Sequence, residues 1–481
     1  MRNAECGTKN SIREGFSVSY SPFRIPRSAF QEREPPGRVR RKAGNDSHRP
    51  HRSCRMFTWL SDPTLLLAGV VLVTAQFIAA LPWLWAIDPK GFKDALKTPL
   101  SLGYVAGGIL LTGAGVAAFL SYKGDTPNLV WYGRYLYGAI LHLQLIIDLF
   151  LLMPHALLLV WPKGGAVAFA AFRESCRQPM FWLIFVGAAA LIWFSVVIPY
   201  FTFGDDYKMM KQIGFDVVML SSVLFGVLAA SMSISEEIEG RTAVTLMSKP
   251  VNRRQFLIGK FLGILMACLI MSLLLSWTLT DALRAMREFD PINNAADPVD
   301  PLGQPTDKLV DPMTYEAQKT VVPPFEKAVP SGAGRMVARG AGLWFSDAVA
   351  HTFGVVLGFG QVMILVAIAS ALATRMAFVV NIVLCLLIYF LGHLAPVVVQ
   401  VTQQAQGGGV GVGLVGFLGR LFDVLLPSLE SFNMGRAIIR ESPLPLWQFG
   451  GYVLTVFGYS LIYTAIALMV GLLLFEDRDL A

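Results

Sequence analysis

Five ionisable side chains sit inside or beside long apolar stretches: His142, Asp148 and His155 in one, His351 and His393 near the ends of two others. Charge is costly in hydrocarbon, so such groups are candidates for proton relays or ion paths. His142 and Asp148 could pass a proton between them. Polar contacts that pack helices account for the same residues. Asp205 and Asp206 are adjacent carboxylates that could grip a divalent cation or simply form a solvated turn. The remaining chemistry is thin. No GxSxG elbow, HExxH helix or His/Cys cluster occurs. Five cysteines, at 6, 54, 176, 268 and 385, make no CxxC and do not pair within an external loop. A phosphate loop needs GxxxxGK[ST]; the nearest string, Gly259-Lys260-Phe261, lacks the hydroxyl residue. No catalytic, cofactor-binding or metal-binding residue is assigned on this chain.

The densest functional signal is a charged island, residues 235–260: SEEIEGRTAVTLMSKPVNRRQFLIGK. Its first half reads as a short helix. Glu236, Glu237 and Glu239 suit the positive end of a helix dipole. Ile238, Val244, Leu246 and Met247 add an apolar component. Pro250 disfavours the α region at Lys249 and stops the helix. Arg253, Arg254 and Lys260 then anchor the next apolar run at an interface. An ordinary basic loop with interfacial lysines would look similar.

The elements that must position this island are membrane spans. Of 481 residues, 54% are hydrophobic and only 15% charged; soluble domains carry about 25% charged residues. The apolar runs are too long and too unalternating for barrel strands, so the fold class is all-α, a polytopic helical membrane protein. A span needs about 20 apolar residues. Nine runs qualify: 64–86, 101–121, 135–161, 181–203, 215–234, 256–280, 348–372, 377–401 and 449–475. The net charge of +7 would suit nucleic acid, but residues 1–55 hold 13 Lys/Arg against 5 Asp/Glu. The membrane body is therefore close to neutral, and no nucleic-acid partner is expected.

Loop charge sets orientation. The basic island faces the cytoplasm. Counting outward, 162–180 (Lys163, Arg173, Arg177) is inside, 204–214 outside, 281–347 outside, the Arg375 turn inside, 402–448 outside and the C-terminus cytoplasmic. The first three spans place 87–100 (Lys90, Lys93, Lys97) inside and the N-terminus outside. A basic tail outside breaks the positive-inside preference. Residues 1–55 are read as a disordered basic tail, and a true start at Met56 removes the conflict. The segment 281–347 holds eight prolines and is expected to be helical only near 281–289, irregular beyond. In 402–448 a Gln/Gly-rich piece precedes an amphipathic one at 415–426, lying on the membrane surface or dipping in partway. Glycines at 103–115 and 354–360 are expected to serve close helix packing.

The string EEIEGRTAVTLMSKPVNRRQFLIGKFLG resembles the signature of type-2 ABC transporter (ABC-2) permeases, in the branch of gliding-motility and nitrous-oxide-reductase maturation permeases. AFRESCRQP at 171–179 resembles the family's amphipathic elbow before its first core span. GDDYK at 204–208 resembles its first external turn, and FEDRDL at 475–480 the end of its last span. The resemblance covers about 163–481 and is strongest at 204–263. It implies a six-span ABC-2 type permease core, 163–481, preceded by about three extra transmembrane helices, 56–162. The coupling loop would be 235–255, and the external loops 281–347 and 402–448.

By that resemblance, Glu236, Glu237, Glu239, Arg241, Leu246, Lys249, Pro250, Arg253 and Arg254 contact a separate ABC ATPase subunit. ATP and Mg would reside on that partner, with no cofactor on this chain. The implied function is ATP-driven transport, export across a bacterial cytoplasmic (inner) membrane, as a homodimer or as a heterodimer with another permease, within the lipid bilayer. The alternative is a membrane scaffold that moves or anchors an envelope protein through 281–347.

Overall fold

The computed structural model describes residues 62–124, 126–198, 206–239, 252–289, 312–330, 332–404, 410–435 and 445–476. The expectations placed on 1–55, on Met56, on Asp205 and on 240–251 fall outside them. Among the described residues every regular element is a helix. We number them α1 (Pro63–Ile87), α2 (Pro89–Lys97), α3 (Pro99–Lys123), α4 (Asn128–Val160), α5 (Pro162–Arg177), α6 (Pro179–Ser195), α7 (Asp206–Glu239), α8 (Arg253–Phe289), α9 (Pro312–Ala328), α10 (Gly332–Leu372), α11 (Phe378–Gln404), α12 (Val410–Leu425) and α13 (Leu446–Glu476).

Local chemistry explains where many of these helices start. Six begin on proline, whose fixed φ and missing N–H cost nothing at a first helical position. Asp62 caps α1 by accepting from the Thr64 hydroxyl and backbone N–H, which holds its carboxyl below the usual carboxylate range. Asp88 caps α2 by accepting from the N–H groups of Lys90 and Gly91 at 3.2 and 2.9 Å.

Among the described residues, eight helices are long and apolar enough to cross a membrane. They correspond to eight of the nine expected runs. The ninth, expected at 181–203, differs. The α6 helix spans 17 residues and ends at Ser195, and α5 and α6 meet at a 58° bend. Pro179 causes the break by holding Gln178 in an extended conformation. Only the bent pair taken together would make a ninth span.

Helix α10 is the central column. Of its most apolar 18-residue window 78% is buried, against 67% for α8, 61% for α7 and 11% for α3. Asn381 of α11 ties itself to this column, donating to Ala369 O and to Ser231 Oγ of α7, each at 2.9 Å. Helix α4 crosses α10 closely through a π-helical turn, Gly133–Gly138. A Cβ on Gly133 would run into Val337 O and lie 2.8 Å from Val337 Cα, so glycine there lets the two backbones approach. Arg134 in the same turn pairs with Asp347 of α10, both side chains nearly buried. The Trp277 indole of α8 donates to Ala139 O at 3.0 Å.

Two expected loops hold more helix than expected. Among its described residues, 281–347 is helical rather than irregular. Helix α8 continues to Phe289, α9 occupies Pro312–Ala328, and α10 is already helical at Gly332. At 1.5 Å per residue its 41 residues reach about 60 Å, twice the hydrocarbon thickness. Helix α9 packs on it through stacked Phe325 and Phe345 rings and an Arg339–Glu326 ion pair at 3.3 Å.

The segment 402–448 is helical at both ends, since α11 runs to Gln404 and α13 starts at Leu446. The α12 helix folds back along α11, with Gly416 beside Thr402 and Gly419 beside Val398. It leads to a 3-10 turn whose Phe432 rests on Gly360 of α10. The glycines also divide. Gly113, Gly354 and Gly360 meet neighbours, whereas Gly103, Gly107, Gly108 and Gly115 have none within 4 Å.

The Arg134–Asp347 pair yields a stability test. Asp347→Leu leaves a nearly buried guanidinium without its partner and should cost about 3 kcal/mol; Arg134→Met with Asp347→Leu should recover most of that. Thermal unfolding in detergent reads both. Equal losses in the single and double variants would show that the pair does not join α4 to α10.

Candidate functional site

Several helix ends converge where the island joins the bundle. Their common point is the Lys260 ammonium, which the sequence suggested would lie at an interface. It is buried, at 5% exposure. Its Nζ donates to Glu237 Oε1 at 2.6 Å, to Ser233 Oγ at 2.9 Å and to Glu174 Oε2 at 3.2 Å. One cation thus joins the end of α7, the start of α8 and the elbow α5. A buried ammonium is tolerable only when its three donors and its charge are met, and here two carboxylates and a hydroxyl do so.

Close approach makes this possible. Gly259 and Gly263 flank Lys260 one turn apart on α8. A Cβ on Gly263 would sit 2.6 Å from Ala171 Cβ and 2.9 Å from Phe172 N; one on Gly259 would sit 2.9 Å from Gly164 O. The elbow therefore lies directly on the α8 backbone and brings Glu174 within reach.

A second set of contacts adds the remaining ends. Ser235 Oγ donates to Ala373 O and Met376 O of the α10–α11 turn at 3.4 and 3.3 Å. Arg253 Nη1 donates to Phe475 O at 2.7 Å and Glu476 O at 2.8 Å, and its guanidinium covers the Phe475 ring at 5.5 Å. Arg375 Nε donates to Leu474 O at 2.7 Å. These carbonyls close α13, where a helix lacks its own donors and favours cations. Beneath them Ile234, Ile238, Phe256, Leu257, Ala373 and Phe475 form a small apolar cluster.

The residues expected to touch an ATPase divide accordingly. Glu236 and Arg254 are exposed. Glu237 turns to Lys260, and Arg253 turns to α13, so both brace the platform. Glu239 ends α7, and nothing is described of its side chain. Arg241, Leu246, Lys249 and Pro250 lie outside the described residues. Sequence reasoning missed Glu174, Ser233 and Ser235. The available signal was the Gly259/Gly263 pair around a lysine, which marks a close crossing rather than a free interfacial cation.

The intramembrane histidines each meet a different neighbour. His142 Nδ1 accepts from the Trp344 indole at 3.3 Å, and His155 Nδ1 lies 2.7 Å from Leu151 O. His351 Nδ1 lies 2.8 Å from Thr280 Oγ1, and His393 Nε2 lies 3.3 Å from Gln361 Nε2. Among the described residues no three His, Cys, Asp or Glu side chains gather as a metal site.

Long apolar helices around a central column, with a charged platform at one end, define a multi-pass helical membrane protein of the permease kind. The chain belongs to the ABC-2 transporters: the family described as ABC-2 family transporter protein matches residues 60–480. The matched stretch takes in the first three spans as well as 163–480. The chain is therefore a permease component of an ABC transporter. Comparison with curated proteins and with solved structures gave no match.

Lys260→Met should cost about 1.5–3 kcal/mol, the worth of hydrogen bonds to charged groups, read as a lower unfolding temperature in detergent. Lys260→Arg should retain part of that stability. A Lys260→Met protein as stable as the wild type would remove the hub from the account.

Proposed function

We propose that the platform around Lys260 is the port through which a separate ABC ATPase drives this permease, and that residues 235–255 form the coupling contact. The observation that carries this reading is the convergence on Lys260. Force applied at 240–251 enters two helices, α7 and α8, that are already fastened to each other and to α5. Through Ser235 and Arg253 it also reaches α10, α11 and α13. ATP-driven closure of an ATPase dimer needs such a braced element, because a frayed loop would absorb the stroke. A platform of this kind is a bistable element whose position the nucleotide state can bias.

In this reading the island and the C-terminus face the cytoplasm, and the membrane is a bacterial inner membrane. Residues 163–481 act as a six-span core, and 56–162 as an added three-helix module. Two permease copies, or this chain and a second permease, assemble with two ATPase subunits that hold ATP and Mg. Transport runs outward, along a path between the two cores. The exposed Glu236 and Arg254 touch the ATPase, whereas Glu237 and Arg253 transmit the load.

Affinity purification of the full chain from its own host should recover a Walker-motif ATPase, and its consistent absence would defeat the proposal. Glu236→Lys with Arg254→Glu should weaken ATPase capture roughly ten-fold, about 1.4 kcal/mol, while the unfolding temperature stays close to wild type. Unchanged capture would move the contact away from these two side chains.

A further inference from the structure

Helices α1, α4, α5, α6 and α8 line a crevice of about 660 Å³ that the coupling platform does not use. Its walls are apolar, with Ile146, Phe150, Phe181, Phe185, Ile270 and Leu274 facing it. Its length follows from the helices. Ile270 and Leu274 lie ten and fourteen residues past Lys260, about 15 and 21 Å along α8. Ile146 lies fourteen residues before Val160, again about 21 Å from the elbow. The cavity therefore runs from the elbow deep into the span region.

Its polar groups are gathered at one end. Arg173 and Arg177, one turn apart on α5, line the mouth, with His155 beside them. Both arginines are exposed. Neither forms an ion pair among the described residues; the Arg173 guanidinium only covers the Phe169 ring at 5.6 Å. The carboxylate between them, Glu174, is turned to Lys260. No acidic side chain lines the cavity. The same two arginines border an adjoining cleft of about 620 Å³ with Glu174, Gln178 and Pro179.

We propose that this crevice is a binding site for an anionic glycerophospholipid. One acyl chain fills the apolar cavity, and the phosphate sits at Arg173 and Arg177. Guanidinium groups pair with phosphate through two parallel hydrogen bonds, and basic pockets between spans at a membrane surface select anionic head groups. A free phosphate would leave the apolar wall uncovered, and a zwitterionic lipid would leave the arginines without a net counter-charge. The bound lipid would brace the elbow from the side opposite Lys260. The inference needs no ATPase and stands or falls apart from the coupling proposal.

The test uses the purified full chain in detergent. It is offered palmitoyl-oleoyl phosphatidylglycerol or the matching phosphatidylcholine, and retained lipid is counted by native mass spectrometry. The wild type should hold phosphatidylglycerol over phosphatidylcholine by about ten-fold or more. Arg173→Gln with Arg177→Gln should bring the ratio close to one. Ile147 also lines the cavity, and Ile147→Trp, which fills it and keeps both arginines, should lower retention of both lipids. Equal retention of the two lipids by the wild type would overturn the proposal, as would an undiminished preference in the double glutamine variant. Full phosphatidylglycerol retention by Ile147→Trp would overturn the acyl-chain assignment. Should the glutamine variant fail to fold, Arg173→Lys with Arg177→Lys must show a weaker preference than wild type, and an unchanged one refutes the role of the guanidinium groups. As an independent readout, phosphatidylglycerol should raise the wild-type unfolding temperature more than phosphatidylcholine does.

Discussion

The Lys260 ammonium is buried, and burial obliges the chain to bring it partners. That obligation shapes the whole island end. Glu174 must come from the elbow, so α5 must lie flat on α8, so positions 259 and 263 must be glycine. Glu237 and Ser233 must come from the last turns of α7, which fixes how that helix enters the island. The apolar cluster of Ile234, Ile238, Phe256 and Phe475 then closes against the same surface, and Arg253 and Arg375 satisfy the carbonyls that end α13. Removing the cation would leave two carboxylates facing each other across three helices.

The elbow gains a second role from this arrangement. Its Glu174 faces the hub, while Arg173 and Arg177 line the apolar crevice. One amphipathic helix thus meets the core through an acid and the proposed lipid through two bases. The proline-induced bend at Gln178 makes that division possible, because it turns α5 by 58° from the direction of α6.

Much of this fold was legible in the sequence, for a simple physical reason. Spanning helices must satisfy their backbone internally and present apolar side chains, so eight runs declared themselves by length alone. The island ends were legible too, since charges between two spans have few places to go. What escaped notice depends on partners distant in sequence. Lys260 looked like an interfacial anchor because Glu174 is far upstream, and nothing local announces their meeting. Glu237 and Arg253 looked available to an outside partner for the same reason. The N-terminal half of α10 escaped because Gly332, Arg335 and Arg339 carry neither the hydropathy of a span nor a clear periodic stripe. Its helicity is supplied by packing against α4 and α9. In the run 181–203 hydropathy continues past Ser195, where α6 stops, so the helix end is not marked by composition.

The length of α10 has a mechanical meaning. No proline interrupts its 41 residues, and its last turn leads into the Ala373–Met376 turn that Ser235 grips. A tilt of roughly 10° about that end would sweep the opposite tip through about 10 Å. Helix α9 and the upper part of α4, both fastened to the distal half of the rod, would travel with it. A stroke too small to remodel the gripping end is thus geared into a displacement as wide as a helix at the other.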